Sequence, residues 1–250
     1  MFVSTALVLS VLGFDQVQAS RGSNTTLTQR RAASIRFAPR FLRGANRKLR
    51  YTIKAKYPQA IGATDERTQK LNQAIKDLII EQINAFKKDF EAPEQRMGTL
   101  GSYFDTSYTV TLATNDLVSI HFTIDTYFEG AAHPNYNSLV FNYDLKSGRV
   151  LNLADLFKPN SNYLKLISDY AIKTLVKKLG PDSDKDWIEK GAGATDENYK
   201  AWNLTSRGVK VTFDPYQVAS YAEGQHEMVI PYSALKGVID PAGPLAAVVK

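Results

Sequence analysis

The sequence predicts an α+β fold in which two main helices pack on antiparallel sheets. Three features carry this. One long apolar stripe recurs at helical spacing between Leu71 and Phe90. Two alternating, β-branched and aromatic runs flank a turn at Thr114-Asn115-Asp116. A second helical stretch is then followed by further short strand signals. Strands and helices segregated in this way along a chain favour helices laid on antiparallel sheet.

Tyr51-Thr52-Ile53-Lys54-Ala55-Lys56-Tyr57 alternates apolar and polar residues, as a half-buried strand does, and Pro58 is expected to end it. Leu71, Ile75, Leu78, Ile79, Ile83, Phe86 and Phe90 then form one face of a helix, capped by Thr64 or Asp65 and stopped by Pro93. Residues 102–113 and 117–128 read as a hairpin. In its second strand Ile120, Phe122 and Ile124 face one way, and His121, Thr123, Asp125 and Tyr127 the other. A turn over Gly130–Asn135 leads into a strand over Tyr136–Leu145, and Val150–Leu153 follows a tight turn. Ser161 opens a second helix to Leu179, with Leu164, Ile167, Ala171, Leu175 and Leu179 as its apolar face and Gly180-Pro181 as its stop. Trp202–Thr205 and Val209–Phe213 form a second hairpin. Glu227–Ile230 is the last strand, and Pro231 starts a short helical turn through Leu235.

The chain of 250 residues is long enough to bury a proper core, and it has no cysteine. Disulfides, thiolate nucleophiles and Cys-ligated zinc are therefore excluded. The net charge of +6 is unevenly placed. Nine of the 31 Lys and Arg fall within residues 21–50, which hold no acid, leaving 22 basic against 24 acidic residues from 51 onward. A basic leader on a slightly acidic body argues against nucleic acid as a partner, since that function needs the basic patch on the fold. The leader could instead make weak contact with anionic envelope polymers. Residues 2–14 are apolar and uncharged, and Val17-Gln18-Ala19 precedes Ser20. This has the build of a signal-peptide core and cleavage site, although the basic n-region is missing. An uncleaved anchor is the alternative, but the run is short for a bilayer, and no transmembrane span is expected.

Two segments stand out. The first is Tyr127-Phe128-Glu129-Gly130-Ala131-Ala132-His133-Pro134-Asn135. The second runs from Phe213-Asp214-Pro215-Tyr216-Gln217-Val218-Ala219-Ser220-Tyr221-Ala222-Glu223-Gly224 to Ile230-Pro231-Tyr232-Ser233-Ala234-Leu235. Together they resemble the RsiV-like periplasmic domain family. That domain occurs in lysozyme-sensing anti-sigma factors and at the amino-terminal side of PdaC-type peptidoglycan deacetylases. Tyr127, Ala131, Ala132, His133 and Pro134 match its first pattern, with Ala131 where Gly is commoner. Phe213, Pro215, Tyr216, Val218, Tyr221, Gly224, Ile230, Pro231, Tyr232 and Leu235 match its second. The resemblance implies a secreted or periplasmic location and a domain that binds rather than catalyses, its ligand a lysozyme-like protein or peptidoglycan. The expected division is signal peptide 1–19, basic disordered arm 20–49, an N-terminal α+β subdomain 50–130, a C-terminal RsiV-like α+β subdomain 131–240, and a tail 241–250.

The candidate ligand-binding residues are Tyr127, Glu129, His133, Tyr136, Tyr216, Tyr221 and Glu227. Exposed tyrosines stack on sugar rings and anchor protein interfaces, or they fill the core. His133 either contacts ligand or hydrogen-bonds the backbone of its own turn. His121, Asp125, His133 and His226 are of the residue types that ligate a metal, but no compact spacing such as H-E-x-x-H is present, and no metal or other cofactor is implied. The alternative function is a cell-wall glycan hydrolase using carboxylates near the His133 turn, drawn from Asp125, Glu129, Glu223 and Glu227. No G-x-S-x-G elbow or Gly-rich phosphate loop appears.

Overall fold

A computed structural model describes residues 35–62, 64–90 and 101–249. The signal-peptide reading, the start of the basic arm and the Pro93 stop lie outside the described residues. The fold is α+β. A six-stranded sheet runs in the order β1 (Arg36–Asn46), β2 (Tyr51–Ile61), β3 (Ser102–Ala113), β4 (Leu117–Tyr127), β5 (Asn135–Asp144) and β6 (Arg149–Val150). A three-stranded antiparallel sheet follows, of β7 (Trp202–Leu204), β8 (Gly208–Phe213) and β9 (His226–Pro231).

Helix α1 (Glu66–Lys88) forms as its periodicity predicts, and the Asp65 carboxylate caps it by accepting from the Thr68 N–H at 3.0 Å. Its stripe of Leu71, Ile75, Ile79, Ile83 and Phe86 is buried against Ile53, Ala55, Phe104, Ile120 and Phe122 on the inner face of the large sheet. Each large side chain so buried contributes about 1.5–3 kcal/mol. The large sheet is not wholly antiparallel: β2 and β3, which flank α1 in sequence, pair in parallel. Parallel neighbours need a long crossover, and α1 supplies it.

Residues 36–46, expected to belong to a disordered arm, are the edge strand β1, paired with β2 along its full length. Nor does Pro58 end β2. It faces Pro39 across the ladder, and the neighbouring β3 pairs only as far as Ala55. Two facing prolines fit a non-hydrogen-bonded position, where both N–H groups would point away from the partner. Strand β5 pairs with β4, so the large sheet runs on past the division expected at residue 130.

The second core lies between the small sheet and two helices, α2 (Tyr163–Leu179) and α3 (Lys185–Gly191), with Ile167, Leu175, Ile188, Val211 and Phe213 fully buried. A short helix α4 (Tyr232–Leu235) follows β9. The segment after 240 is docked rather than loose: Leu245 is fully buried, and just ahead of the segment Ile239 bridges to Phe157. The two sheets meet where β7 lies against β4 and β5. That contact is polar and closed. Ser119 donates to Asn142 at 2.6 Å and accepts from the Leu204 N–H at 3.0 Å, while the Asn142 amide donates to the Trp202 carbonyl at 2.9 Å. Among the described residues no helix is long and apolar enough to cross a membrane.

Candidate functional site

The His133 turn leaves the end of β4 and enters β5. The 214–224 segment leaves β8 and enters β9. Asp214 binds the two together: it accepts from the Ser138 N–H at 2.9 Å, from the Ser138 hydroxyl at 2.7 Å and from the Gln225 amide at 2.8 Å. The other side of the segment rests on α3. The Gln217 amide donates to the carbonyls of Gly191 and Asn198, and the Trp187 indole donates to the Tyr216 carbonyl at 3.0 Å.

This framework brings the two sequence motifs into contact. The His133 ring stacks on Tyr221 with centroids 4.0 Å apart, and Tyr221 lies 5.5 Å from Tyr216. The Pro134 carbonyl accepts from both His133 Nδ1 and the Tyr221 hydroxyl, each at 2.8 Å. A carbonyl cannot donate, so Nδ1 carries the proton and Nε2 is left to accept from the Tyr216 hydroxyl at 3.4 Å. His133 thus holds its own turn as one sequence reading had it, and it remains exposed. Tyr216 is 54% exposed and has φ 70, a left-handed conformation that a bulky side chain rarely adopts. Its backbone is held there by the Trp187 and Gln217 bonds while the ring stands in solvent. Such an outlier points to use of the side chain.

Behind this ledge lies the outer face of the large sheet. Tyr136 faces Asp125 across the β4–β5 ladder, and Tyr103 faces Tyr127 across β3–β4 with their rings stacked at 5.9 Å. The Tyr103 hydroxyl donates to Asp125 at 3.1 Å, and burial together with that bond pushes its pKa up to about 12. Asp125 is itself raised, first by burial and then by Asp105, which sits directly opposite in register. Burial, then Tyr136, Tyr216 and Asp125, raises the Tyr221 hydroxyl. The result is one aromatic surface with the facing carboxylates of Asp105 and Asp125 at its centre. It can stack on a ring and accept hydrogen bonds.

Five of the seven candidate residues (Tyr127, His133, Tyr136, Tyr216 and Tyr221) lie in this region. Two do not. Glu129 is turned inward with its side chain 3% exposed, pairs with Arg50 at 2.8 Å and accepts from the Gly101 N–H. Glu227 sits on the small sheet, where burial would raise its pKa but a 2.7 Å pair with Lys210 holds it lowered. The carboxylates considered for hydrolysis are therefore dispersed. His121, Asp125, His133 and His226 do not converge either: His121 is buried against Asn203, His226 is buried on β9, and among the described residues no three acidic or histidine side chains group as metal ligands. Sequence reasoning missed Asp214, Tyr103 and Asp105. A cavity of about 660 Å³ lies at the opposite end of β4 beside Asp116 and Tyr163. Its charges are matched internally, with Lys146 on Asp116 at 2.9 Å and Arg149 on Asp155 at 2.8 Å.

Both halves of the ledge fall in segments with known counterparts. Residues 154–233 match the family described as "Protein of unknown function (DUF3298)". Residues 45–136 match the family described as "Deacetylase PdaC". His133 and Tyr136 thus come from the PdaC-matching segment, Tyr216 and Tyr221 from the DUF3298-matching one. The chain is 25% identical over 173 residues to the peptidoglycan-N-acetylmuramic acid deacetylase PdaC of Bacillus subtilis (strain 168), a match covering 69% of this chain and 37% of that protein. A crystal structure of a DUF3298 family member from Bacteroides fragilis NCTC 9343 shares the fold, with a TM-score of 0.62, 17% identity, and coverage of 86% of this chain and 97% of that one. A DUF3298 family protein from Pseudomonas aeruginosa PAO1 does so with a TM-score of 0.58, 18% identity, and coverage of 83% and 93%. The PdaC side of the resemblance is supported by these matches. The likeness to anti-sigma factors rests on the two motifs alone.

Proposed function

We propose that this chain is an exported, non-catalytic binding module of the bacterial envelope, and that its ledge holds the glycan of peptidoglycan. The observation that carries the reading is Tyr216: an exposed ring on a left-handed backbone, stacked toward Tyr221 and His133. A pyranose presents an apolar C–H face that an exposed tyrosine covers, and its hydroxyls suit the Asp125 carboxylate and the neighbouring phenols. The partial match to a peptidoglycan deacetylase supports the same ligand class. The binding, non-catalytic reading is favoured over a hydrolase because Glu129 and Glu227 are each committed to a cation elsewhere.

Calorimetric titration with soluble muropeptides tests this. Binding is expected, weakened about tenfold or more by Tyr216→Ala and by Tyr221→Ala, in line with loss of a stacking anchor. No heat at high concentration of protein and ligand would remove the glycan reading. A lysozyme-like protein is the second reading, favoured by the acidic pair Asp105–Asp125 amid tyrosines, a surface suited to a basic protein partner. The same titration with a c-type lysozyme separates the two. Release of sugar from purified peptidoglycan would instead revive the hydrolase.

A further inference from the structure

We infer that the β1–β2 hairpin is a docking surface for an anionic lipid bilayer. Residues 36–56 hold eight Lys and Arg and no acid, whereas residues 57–250 hold 24 acids against 20 basic residues. The positive charge is therefore displayed on a folded edge while the rest of the chain is slightly acidic, an asymmetry that orients the molecule at a negative surface. Within the hairpin, Arg43 faces Lys54 directly across the ladder. Like charges so placed cost stability. Lys54 also has Asp105 beside it in the β2–β3 ladder, while among the described ion pairs the hairpin contributes Arg50, to Glu129.

Charge alone would suit any polyanion. The apolar side chains select the bilayer. Leu49, 40% exposed, stands at the hairpin tip between Lys48 and Arg50, and Phe41, 48% exposed, stands on the strand beneath Arg43, whose guanidinium lies 4.7 Å from its ring. The tip is fixed rather than loose. The Leu49 N–H donates to Asn46 at 2.9 Å, Arg50 adopts φ 55, and its carbonyl accepts from the Ser102 N–H at 2.8 Å. A soluble polyanion offers nothing to two presented apolar side chains, whereas a headgroup interface takes both them and the cations around them. Ser102 begins the strand that carries Tyr103, so the hairpin tip and the aromatic surface share one end of the large sheet. Docking through the tip would hold that surface close to the membrane. This inference does not depend on the identity of the ledge's ligand.

Co-sedimentation of the full chain with phosphatidylglycerol-containing vesicles, and with pure phosphatidylcholine vesicles, tests it. Binding to the anionic vesicles alone is expected, falling as salt rises. Arg43→Glu with Lys54→Glu should lower it about tenfold or more, since each basic residue near the surface strengthens adsorption about fivefold. Leu49→Ser should weaken it while leaving the salt dependence in place. Arg47→Glu with Lys48→Glu, at the exposed turn, repeats the charge test should the strand pair disturb folding. Unchanged binding in the charge variants, equal binding to both vesicles, or binding to soluble polyphosphate without binding to vesicles would each overturn the inference.

Discussion

The Asp214 carboxylate grips Ser138 twice, at its N–H and at its hydroxyl, and so pins the 214–224 segment to strand β5. Asp214→Ala leaves the Ser138 N–H and hydroxyl without their acceptor and the Gln225 amide with only the Ser138 oxygen. The expected cost is about 1–3 kcal/mol, read as a lower urea midpoint. Tyr216 and Tyr221 ride on this segment, so muropeptide binding should fall with it. Asp214→Asn keeps an acceptor oxygen and should lie between the two. Unaltered binding in Asp214→Ala would show that the ledge does not depend on this latch.

Ser119 is the corresponding joint between the sheets. It is fully buried and satisfies groups on β5 and β7 at once, accepting from the Leu204 N–H and from the Asn203 amide at 3.0 Å while donating to Asn142. Ser119→Ala removes four bonds, the fourth being the one it accepts from the Thr111 hydroxyl, and takes this acceptor from two buried donors on β7. It is expected to cost about 1–3 kcal/mol. Thr111→Ala, which loses only a half-buried donor to the same oxygen, should cost less. Equal midpoints for the two variants would contradict this ranking.

The sequence made some of this legible and concealed the rest for physical reasons. Helix α1 was readable because its stripe is unbroken and Asp65 is an orthodox cap. Strand β1 was not, because an edge strand with Arg36, Arg40 and Arg43 exposed lacks the alternation by which half-buried strands are recognised. The parallel pairing of β2 and β3 follows from the strand–helix–strand order, a signal present but outweighed by the hairpins after it. Asp105 was hidden by a bulge. Counting back from the Thr114 turn pairs it with Thr126, and the register shift between Val110 and Leu112 moves it opposite Asp125. Both motifs that build the ledge were visible. Their contact was not, since His133 and Tyr221 are joined through Asp214 and Ser138 across two different sheets.

Gly191 ends α3 where the 214–224 segment crosses it. A Cβ there would lie 1.8 Å from the Gln217 carbonyl oxygen and 3.0 Å from Val218 Cγ1. Backbone cannot yield as a side-chain tip can, so Gly191→Ala must push the segment outward and break the Gln217 bond to the Gly191 carbonyl. Overpacking of this kind costs about 1–3 kcal/mol. The variant should keep its far-UV circular dichroism and lose affinity at the ledge. Retained affinity would mean that Tyr216 is positioned by other contacts.

Acid should destabilise the fold through its buried histidines. His226 is 5% exposed, and neither ring nitrogen has a hydrogen-bond partner among the described residues. Burial, then the Lys178 charge, lowers its pKa from the ordinary 6.5. His121 is lowered likewise by burial and then by Lys210, against a smaller opposing effect of its bond to Asn203. In the unfolded chain both titrate near the ordinary value. Below it, the unfolded state binds protons that the folded state refuses, so stability is complete above that pH and is lost as pH falls toward the lowered folded values. Asp125, raised above its ordinary 3.8, acts in the opposite sense because its protonation favours the folded state, but only at more acid pH. Urea midpoints measured from about pH 8 to about pH 5 should therefore decline. His226→Leu removes one of the two refusing groups and no hydrogen bond. It should leave the midpoint at the alkaline end unchanged or higher and make the decline shallower. A slope identical to that of the parent protein would show that His226 takes up its proton without resistance when folded.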